Sequence, residues 1–503
     1  MQKIYHNGKI ITMTDDVFEE ALVTENGIIK ALGHYADLKN AYPNAEEFDL
    51  KGHTLLPAFI DVHSHLSGVA NSFLEVDIKG LSREEIKETV TNFIQNNSST
   101  LGKEALITVN GYMENMDIDL SFIDEISKDH PMVIKHTSGH SGFFNSKAME
   151  LLGINSATGY FNENEYISNV QKLPMPDSKV LLQAYQKAQD TYASYGITCT
   201  CEGFMALGHK GIYQSLINNE ALKLDVNAYV DYEARDELLS VFSKNIREYQ
   251  NGLKIMGIKQ FLDGSPQSKT ALMRTPYEGE NNCGHMANEP QKIGEAIDFC
   301  LKNNLQHVCH CNGDKACDIY IDELKTRPDV GKIRPVIIHA QLINTDRLDE
   351  VAQLGIIPSF FVAHIYHFGD IHIKNFGYSR ASSISPLYSC QKRNIPFTLH
   401  QDSPVIHPDM MESIWCAVNR KTGFGSVLGR RERVNAYEAL KAVTINAAHQ
   451  IFEENRRGSI DVGKLADFVV LDKDPLSEMS YELKDIKVLM TIKKDDVIYR
   501  RQS

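Results

Sequence analysis

Short apolar segments that alternate with helical stretches are the feature that most restricts how this chain can fold. Each segment is a brief run of β-favouring residues, and a loop and an amphipathic stretch separate it from the next one. Eight such segments occur: PAFIDVH (57–63), GITCTCEG (196–203), LDVNAYV (224–230), MGIKQFLDG (256–264), LQHVCHC (305–311), RPVIIHA (334–340), GIIPSFF (355–361) and IPFTLHQD (395–402). Eight strand–helix units in series predict an α/β protein with a (β/α)8 TIM barrel, because consecutive parallel strands need a crossover helix between them.

One interval between these segments is too long for an ordinary crossover. More than a hundred residues separate His63 from Gly196, and they include the strand-like runs ALITVNGY and MVIKHTSGH and a long helical run. We therefore predict a barrel at residues 57–452 that contains an insertion subdomain at 67–190, placed over the active site.

The two ends of the chain are both rich in strand signals. Asn-Gly pairs at 7–8 and 26–27 lie between β-favouring runs and predict hairpins, and KLADFVVLD and KVLMTIKKDDVIYR predict strands near the C-terminus. We expect residues 1–56 and 453–503 to form one small composite β-sandwich domain.

Composition excludes several classes of partner. The net charge of -14 argues against nucleic acid and anionic membrane surfaces, which attract basic patches. The chain has no apolar run of membrane-spanning length, no visible secretory signal, and nine scattered cysteines without zinc-ribbon spacing. We expect a cytoplasmic protein with a small-molecule substrate, no nucleic-acid partner and no membrane partner; whether it is a homodimer stays open.

Metal-binding residue types collect at the C-terminal ends of the predicted strands, where the functional face of such a barrel lies. His63 and His65 are two residues apart, so on a strand their side chains share a face. The full set at equivalent heights is His63, His65, Lys259, His310, His339 and Asp402. A single histidine at a strand end is usually structural, but this joint occurrence predicts a metal site.

The residue types also predict the chemistry. Imidazole and carboxylate suit a divalent metal, which we expect to be one or two Zn2+ ions, and a metal makes hydroxide from bound water at neutral pH. We expect this hydroxide to attack a carbonyl group, with Asp402 as the proton shuttle. Lys259 does not ligate as an ammonium, so it is either a carbamate that bridges two ions or a lysine paired to a carboxylate; both alternatives stay open.

Several motifs carry a resemblance to a known family. The order of HSH, strand-four lysine, two single strand-end histidines and a final aspartate resembles the amidohydrolase superfamily, and GSIDVGKLADFVVLD resembles its tail signature. The segments SGHSGFFNSKAMELLGI, IKQFLDGSPQSKTALMRTPY, HCNGDKACDIYIDEL, IIHAQLI and HQDSPVIHPDMMESIWCAVNR resemble the amidohydrolase 3 branch, which contains YtcJ-like proteins and N-substituted formamide deformylase. The resemblance covers nearly the whole chain.

The resemblance implies a ligand set and a reaction class. It implies that His63, His65, His310, His339 and Asp402 are metal ligands and that Lys259 occupies the position that is carboxylated in binuclear members. Cys311 and Asn312 depart from the branch's usual His-Ala-hydrophobic-Gly-Asp pattern, and His400 and Gln401 replace a small pair before the last aspartate. The implied activity is hydrolysis of a non-peptide carbon–nitrogen bond.

Five further residues are predicted to contact substrate or to orient the site: His140, Asn145, Glu202, Asp263 and His400. Each has an alternative, which is a surface position for His140, a capping role for Asn145, a structural acid for Glu202, an orienting group for Asp263 and a donor behind a ligand for His400. His364, His367 and His372 cluster after strand seven, and we expect at least two of them to lie on an exposed loop.

The predicted function is a metal-dependent amidohydrolase that acts on an amide, formamide or N-acyl compound. An esterase or lactonase could use the same site, and a non-catalytic regulatory or ligand-binding barrel is the alternative from another class. Because a degenerate binder should have lost part of the ligand set, retention of all six groups favours the enzyme.

Overall fold

The structure is a computed structural model of the 503-residue chain, and it describes residues 1–15, 17–96, 105–113, 116–136, 141–170, 172–173 and 177–502. The chain forms two compact units. The first consists of Met1–Leu66 and Gln189–Ser503, and the second is Ser67–Ala188.

Eight parallel strands of the first unit form one curled sheet in sequence order. They are Phe59–Ile60, Ile197–Met205, Asp225–Asp231, Leu253–Phe261, Gln306–Cys311, Val336–His339, Ile357–Phe360 and Thr398–Leu399, here called barrel strands one to eight. Strand neighbours are consecutive in sequence, which is the order of a barrel. The predicted TIM barrel is confirmed, and each of the eight apolar segments overlaps one of its strands.

Helices separate the barrel strands, and local signals set several of their ends. Pro290 occupies the first turn of its helix, where its missing N–H costs nothing, and Asn304 ends that helix in the left-handed conformation. The helices are Lys210–Asn218, Arg235–Val241, Pro290–Asn303, Asp314–Lys325, Leu348–Leu354, His364–Ala381, Leu387–Gln391, Met410–Asn419, Ala436–Ala442 and Ile445–Gln450. Short 3-10 turns lie at Leu207–His209, Tyr232–Ala234, Ser243–Asn245, Val330–Ile333, Thr345–Arg347, Arg430–Glu432 and Ser480–Asp485.

Two sheets form the predicted β-sandwich, and one of them contains strands from both chain ends. Thr54–Pro57 pairs antiparallel with Phe468–Leu471, so the N-terminal and C-terminal segments share a sheet. The strands of that sheet lie in the order Asp496–Arg500, Val488–Lys493, Phe468–Leu471, Thr54–Pro57, Lys9–Ile11 and Phe18–Glu19. The strands of the other sheet lie in the order Ile28–Gly33, Ala21–Glu25, Gln2–His6 and Glu46–Asp49. The helix Tyr35–Ala41 lies between two of these strands in the sequence. Tyr5, Leu55, Phe468 and their apolar neighbours form a buried core between the two sheets.

Buried ion pairs tie the barrel to the segment that leads into the C-terminal strands. Arg457 and Lys493 both contact the carboxylate of Asp225 on barrel strand three, the Lys493 Nζ at 2.7 Å. Lys254 on barrel strand four lies 2.6 Å from Glu453. The side chains of Arg457, Asp225, Lys254 and Glu453 are nearly fully buried. Because water does not solvate these buried charges, each one is stabilised by its oppositely charged partner.

The second unit has its own sheet and its own core. Its strands lie in the order Tyr160–Asn162, Ser141–Phe144, Met132–His136, Ile107–Tyr112 and Glu75–Asp77. Its helices are Arg83–Asn96, Leu120–Ile126, Ser146–Leu152 and Glu163–Val170. Two further helices, Leu66–Ser72 and Ser178–Ser194, contain the points in the sequence where the second unit begins and ends. In the described part of the chain, no helix combines the length and the apolarity needed to cross a membrane.

Candidate metal centre

The first and last barrel strands are joined by the residues that carry the predicted ligands. The backbone N–H of Asp402 donates to the carbonyl of His63 (3.2 Å), and the N–H of His65 donates to the carbonyl of Ser403 (2.8 Å). Asp402 and His339 have φ values of 54° and 71°, in the left-handed region that non-glycine residues rarely adopt. Strain of this kind concentrates at functional sites.

The carboxylate of Asp402 is the meeting point of the first donor set. Its Oδ1 lies 3.3 Å from Nε2 of His63 and 3.2 Å from Nε2 of His65. Burial raises the pKa of Asp402, but the contact with His65 and its charge outweigh burial, so the pKa lies below its usual value and the group is ionised. Two imidazole nitrogens and a carboxylate oxygen therefore converge on one point.

Gly203 allows the His63 ring to lie where it does. A Cβ atom at Gly203 would fall 2.6 Å from Cε1 and 2.8 Å from Nδ1 of His63, closer than such contacts ever are. Glycine at this position of barrel strand two is therefore required by the close approach of the imidazole.

His310 and His339 form the second donor set. Nδ1 of His310 lies 3.1 Å from Nε2 of His339, which in turn lies 4.0 Å from Oδ2 of Asp402. Nε2 of His310 contacts the carbonyl of Gly264 at 3.0 Å, and burial lowers the pKa of His310 to about 4. A carbonyl only accepts, so in the tautomer that donates to Gly264 the neutral ring carries its proton on Nε2 and presents a lone pair on Nδ1.

His400 supports the second set from behind. Its Nε2 lies 3.2 Å from Nδ1 of His339, and its Nδ1 lies 2.8 Å from Oγ of Ser359. The ring is fully buried. This geometry fits the alternative in which His400 acts as a donor or acceptor behind a ligand, because a hydrogen bond to the second nitrogen fixes the tautomer and the orientation of a ligating imidazole.

Lys259 lies among these groups with its amine buried. Its Nζ has no hydrogen-bond partner among the described residues, and the residue is 1% exposed. Burial lowers the pKa of Lys259 to about 8, against the opposing effect of the Asp402 charge. Burial, and after it the lysine charge, lowers the pKa values of His63 and His310.

Glu202 and Asp263 lie behind the ligands. Oε1 of Glu202 is 3.8 Å from Nδ1 of His65, and its Oε2 accepts a hydrogen bond from the hydroxyl of Tyr213 (2.8 Å). Asp263 accepts from three backbone N–H groups, those of Leu272 (2.9 Å), Asn312 (2.9 Å) and Gly313 (2.7 Å). Asp263 therefore ties the loop after barrel strand four to the loop after strand five.

Asn145 has the capping role that the sequence left as an alternative. Its Oδ1 accepts from the N–H groups of Met132 and Ala148, both at 2.8 Å. Its Nδ2 donates to the carbonyls of Ser127 (2.9 Å) and His130 (3.0 Å). These four hydrogen bonds occupy every polar position of the buried Asn145 side chain, so none is left for a substrate. His140 lies outside the described residues.

The prediction that at least two of the three histidines after strand seven lie on an exposed loop is wrong. All three belong to the helix His364–Ala381, and His364 and His372 are buried. Only His367 is substantially exposed, with Nε2 at 2.8 Å from Oε1 of Glu412. The sequence did contain a signal, because His364, Phe368, His372 and Phe376 recur every four residues, the spacing of one helix side.

The donors present fit a divalent metal. Ligating atoms of His63, His339 and Asp402 lie within 4.8 Å of one another. His65 and His310 extend the set to four imidazoles and one carboxylate, the donor chemistry that zinc and other first-row ions prefer. The buried Nζ of Lys259, which has no hydrogen-bond partner among the described residues, fits a group that the chain itself does not supply.

A TIM barrel with such donors gathered at the C-terminal ends of its strands defines a metal-dependent hydrolase. The chain belongs to the Amidohydrolase family, whose model matches residues 46–499. It is 24% identical to YtcJ of Bacillus subtilis (strain 168) over 535 residues, which covers 100% of both chains. It is also 24% identical to N-substituted formamide deformylase of Arthrobacter pascens over 522 residues, covering 96% of this chain and 95% of that one.

The architecture has a solved counterpart. The structure of an uncharacterized metal-dependent hydrolase from Pyrococcus furiosus matches with a TM-score of 0.80 and 26% sequence identity, covering 95% of this chain and 100% of that one. The similarity therefore extends over the barrel and the composite terminal domain alike.

Proposed function

We propose that this protein hydrolyses a carbon–nitrogen bond other than a peptide bond, in a small amide, formamide or N-acyl compound. The observation that carries the proposal is the arrangement of His63, His65, His310 and His339 around the carboxylate of Asp402. The full-length similarity to an N-substituted formamide deformylase favours this bond type over an ester or lactone.

Asp402 is the proton carrier in this proposal. It is ionised, and it lies between the two imidazole sets. A divalent metal, when bound, supplies Lewis-acid activation of water and of the substrate carbonyl. Asp402 accepts a proton from the attacking water and donates it to the leaving nitrogen, which departs as a neutral amine.

Lys259 is proposed to act as a carbamate. The ammonium first loses one proton, and the neutral amine then adds carbon dioxide and releases a second proton, which gives an anion with two oxygen donors. A buried, unpaired amine with a lowered pKa is suited to this addition, because only the uncharged form reacts. We propose Zn2+ as the metal, bound as two ions in the carbamate form and as one ion if Lys259 stays unmodified.

A regulatory or ligand-binding barrel is the competing function, and one experiment separates the two. Purified protein is loaded with Zn2+ or Mn2+, its metal content is measured, and it is assayed with a panel of N-formyl, N-acyl and ester compounds. Metal binding with turnover of the N-formyl or N-acyl compounds supports the proposal. Metal-loaded protein that cleaves only esters supports the esterase, and protein that binds no metal with every ligand intact supports the non-catalytic barrel.

A further inference from the structure

His364 and His372 form a buried imidazole pair on the helix that follows barrel strand seven. They are 3% and 0% exposed, their ring centroids are 5.5 Å apart, and their planes lie within 29° of each other. Phe361, Phe368 and Phe376 surround them, at ring-centroid distances of 4.3 Å and 4.8 Å from His364 and 5.6 Å from His372. The pair therefore presents its nitrogens inside an aromatic wall.

These nitrogens lack the partners that buried nitrogens normally have. Nδ1 of His364 and both ring nitrogens of His372 have no hydrogen-bond partner among the described residues. His307 is a different case, because its fully buried ring contacts the hydroxyl of Tyr320 at 2.8 Å and Oε1 of Gln260 at 3.1 Å. Since an unpaired buried polar atom costs stability, the unpaired nitrogens indicate a partner from outside the chain.

The side chain of Phe361 lies near both the histidine pair and the candidate metal centre. The Phe361 ring lies 4.3 Å from the His364 ring and 6.3 Å from the His339 ring. It also lies 5.7 Å from the His400 ring. A molecule held by its reacting group near His339 would have to extend only past one phenyl ring to meet the pair.

The helix that carries the pair is firmly held. Both carboxylate oxygens of Asp370 accept hydrogen bonds, from the hydroxyl of Thr422 at 2.7 Å and from the N–H of Phe424 at 3.1 Å. Nδ2 of Asn375 donates to the carbonyls of Pro266 (3.0 Å) and Gln267 (3.2 Å) in the loop after strand four. The imidazoles are therefore preorganised, which is what a recognition site needs.

The pair suits an uncharged group. Burial lowers the pKa of His372 to about 4 and the pKa of His364 well below its usual value, so both rings are neutral at pH 7. A neutral imidazole offers one N–H donor and one acceptor, and it compensates neither a carboxylate nor an ammonium group. The aromatic neighbours complement a flat ring.

We propose that His364 and His372 form a substrate subsite beside the metal centre that hydrogen-bonds a nitrogen heterocycle on the uncleaved part of the substrate. This inference rests on the proposed function and narrows it: the substrate is a neutral N-formyl or N-acyl compound whose N-substituent is a planar heterocycle. A hydrocarbon substituent leaves the imidazole nitrogens unpaired, and a charged substituent finds no counter-charge in the pair.

Two probes that differ in one ring atom test this. Formanilide carries a phenyl ring, and 3-formamidopyridine places an acceptor nitrogen in the same ring. Their Kd values are measured by calorimetry on the metal-loaded Asp402→Asn variant, in which turnover is slow, and their kcat/KM values are measured on the wild-type enzyme. We expect the pyridyl compound to be preferred about tenfold in both, the contribution of one hydrogen bond to a buried partner.

The matched variants are His372→Phe and His307→Phe. His372→Phe keeps the ring shape and removes only unpaired nitrogens, so it should abolish the preference while Tm stays unchanged or rises. His307→Phe removes two satisfied contacts, so it should lower Tm and leave the preference intact.

Three outcomes overturn the subsite: equal affinity for the two probes, a preference that survives in His372→Phe, or binding of neither probe. A fall in Tm in His372→Phe as large as in His307→Phe contradicts it as well. If the wild-type enzyme hydrolyses neither compound, yet Asp402→Asn binds the pyridyl compound more tightly in a His372-dependent way, the subsite stands and the proposed function fails.

Discussion

Nδ1 of His310 and Nε2 of His339 face each other at 3.1 Å while the opposite nitrogens of both rings are already engaged. The carbonyl of Gly264 contacts Nε2 of His310, and Nε2 of His400 contacts Nδ1 of His339. In each imidazole, one nitrogen makes a contact that fixes the orientation of the ring, and the other nitrogen faces the candidate metal centre. Metal-ligating histidines typically use their two nitrogens in this way.

The contact between His400 and His339 leads to a first prediction. His400→Phe keeps a ring of similar size but removes the nitrogen that orients His339, so metal affinity should fall about 10–100-fold although no ligand is lost. Competition with a chromogenic chelator measures the affinity. His449→Phe is the control, because that side chain is 37% exposed and should leave affinity unchanged. Unaltered affinity in His400→Phe would show that His339 is oriented by other contacts.

Replacing Asp402 separates proton transfer from metal binding. Asp402→Asn retains an oxygen donor but no longer takes a proton, so kcat should fall at least about a hundredfold while most of the metal stays bound. Elemental analysis and steady-state kinetics on the same preparation measure both. Asp461→Asn, which alters an exposed acid, should leave both quantities unchanged. Near-normal turnover by Asp402→Asn would rule out Asp402 as the proton carrier.

Barrel strand four carries two buried lysines that make a matched pair. Lys259→Ala should lose metal and activity together, and propionate added to the variant should restore part of both by supplying a carboxylate in the space left. Lys254→Met removes the lysine that pairs with Glu453 at 2.6 Å, so it should lower Tm but not metal content. Full metal content in Lys259→Ala would exclude the carbamate.

Arg457 tests the buried ion pairs between the barrel and the C-terminal segment. Arg457→Met leaves the carboxylates of Asp225 and Asp467 with less compensation, and we expect the free energy of unfolding to fall by about 3–5 kcal/mol. Its neighbour Arg456 is 52% exposed and pairs with Glu453, so Arg456→Met should cost less than about 0.5 kcal/mol. Urea unfolding measures both, and equal effects would contradict the proposed importance of burial.

The barrel was predictable because its signals are local. Each strand is a brief apolar run, and an amphipathic stretch or a turn residue such as Pro290 marks the start of the next helix. His63, His65 and Asp402 were predictable for the same reason: a polar residue at the end of an apolar run is conspicuous in the sequence alone.

The support around the ligands was not predictable from such signals. Ser359 meets His400 only because barrel strands seven and eight are neighbours, and one serine inside an apolar run carries no sign of its partner. At least two of His364, His367 and His372 are expected on an exposed loop from their position after a barrel strand, whereas the four-residue spacing of His364 and His372 with Phe368 and Phe376 indicates a helix side. Periodicity is the better guide to this segment.

The seam where His63 meets Asp402 has a consequence for synthesis of the chain. The first and last barrel strands are joined through the backbone of the very residues that hold the donor atoms, and more than three hundred residues lie between them in sequence. A nascent chain that ends before Thr398 has neither the closing strand nor the shared carboxylate. A metal ion that needs Asp402 as a ligand would therefore bind only after the closing strand of the barrel has been synthesised, while the sandwich strands from Phe468 onwards follow later still.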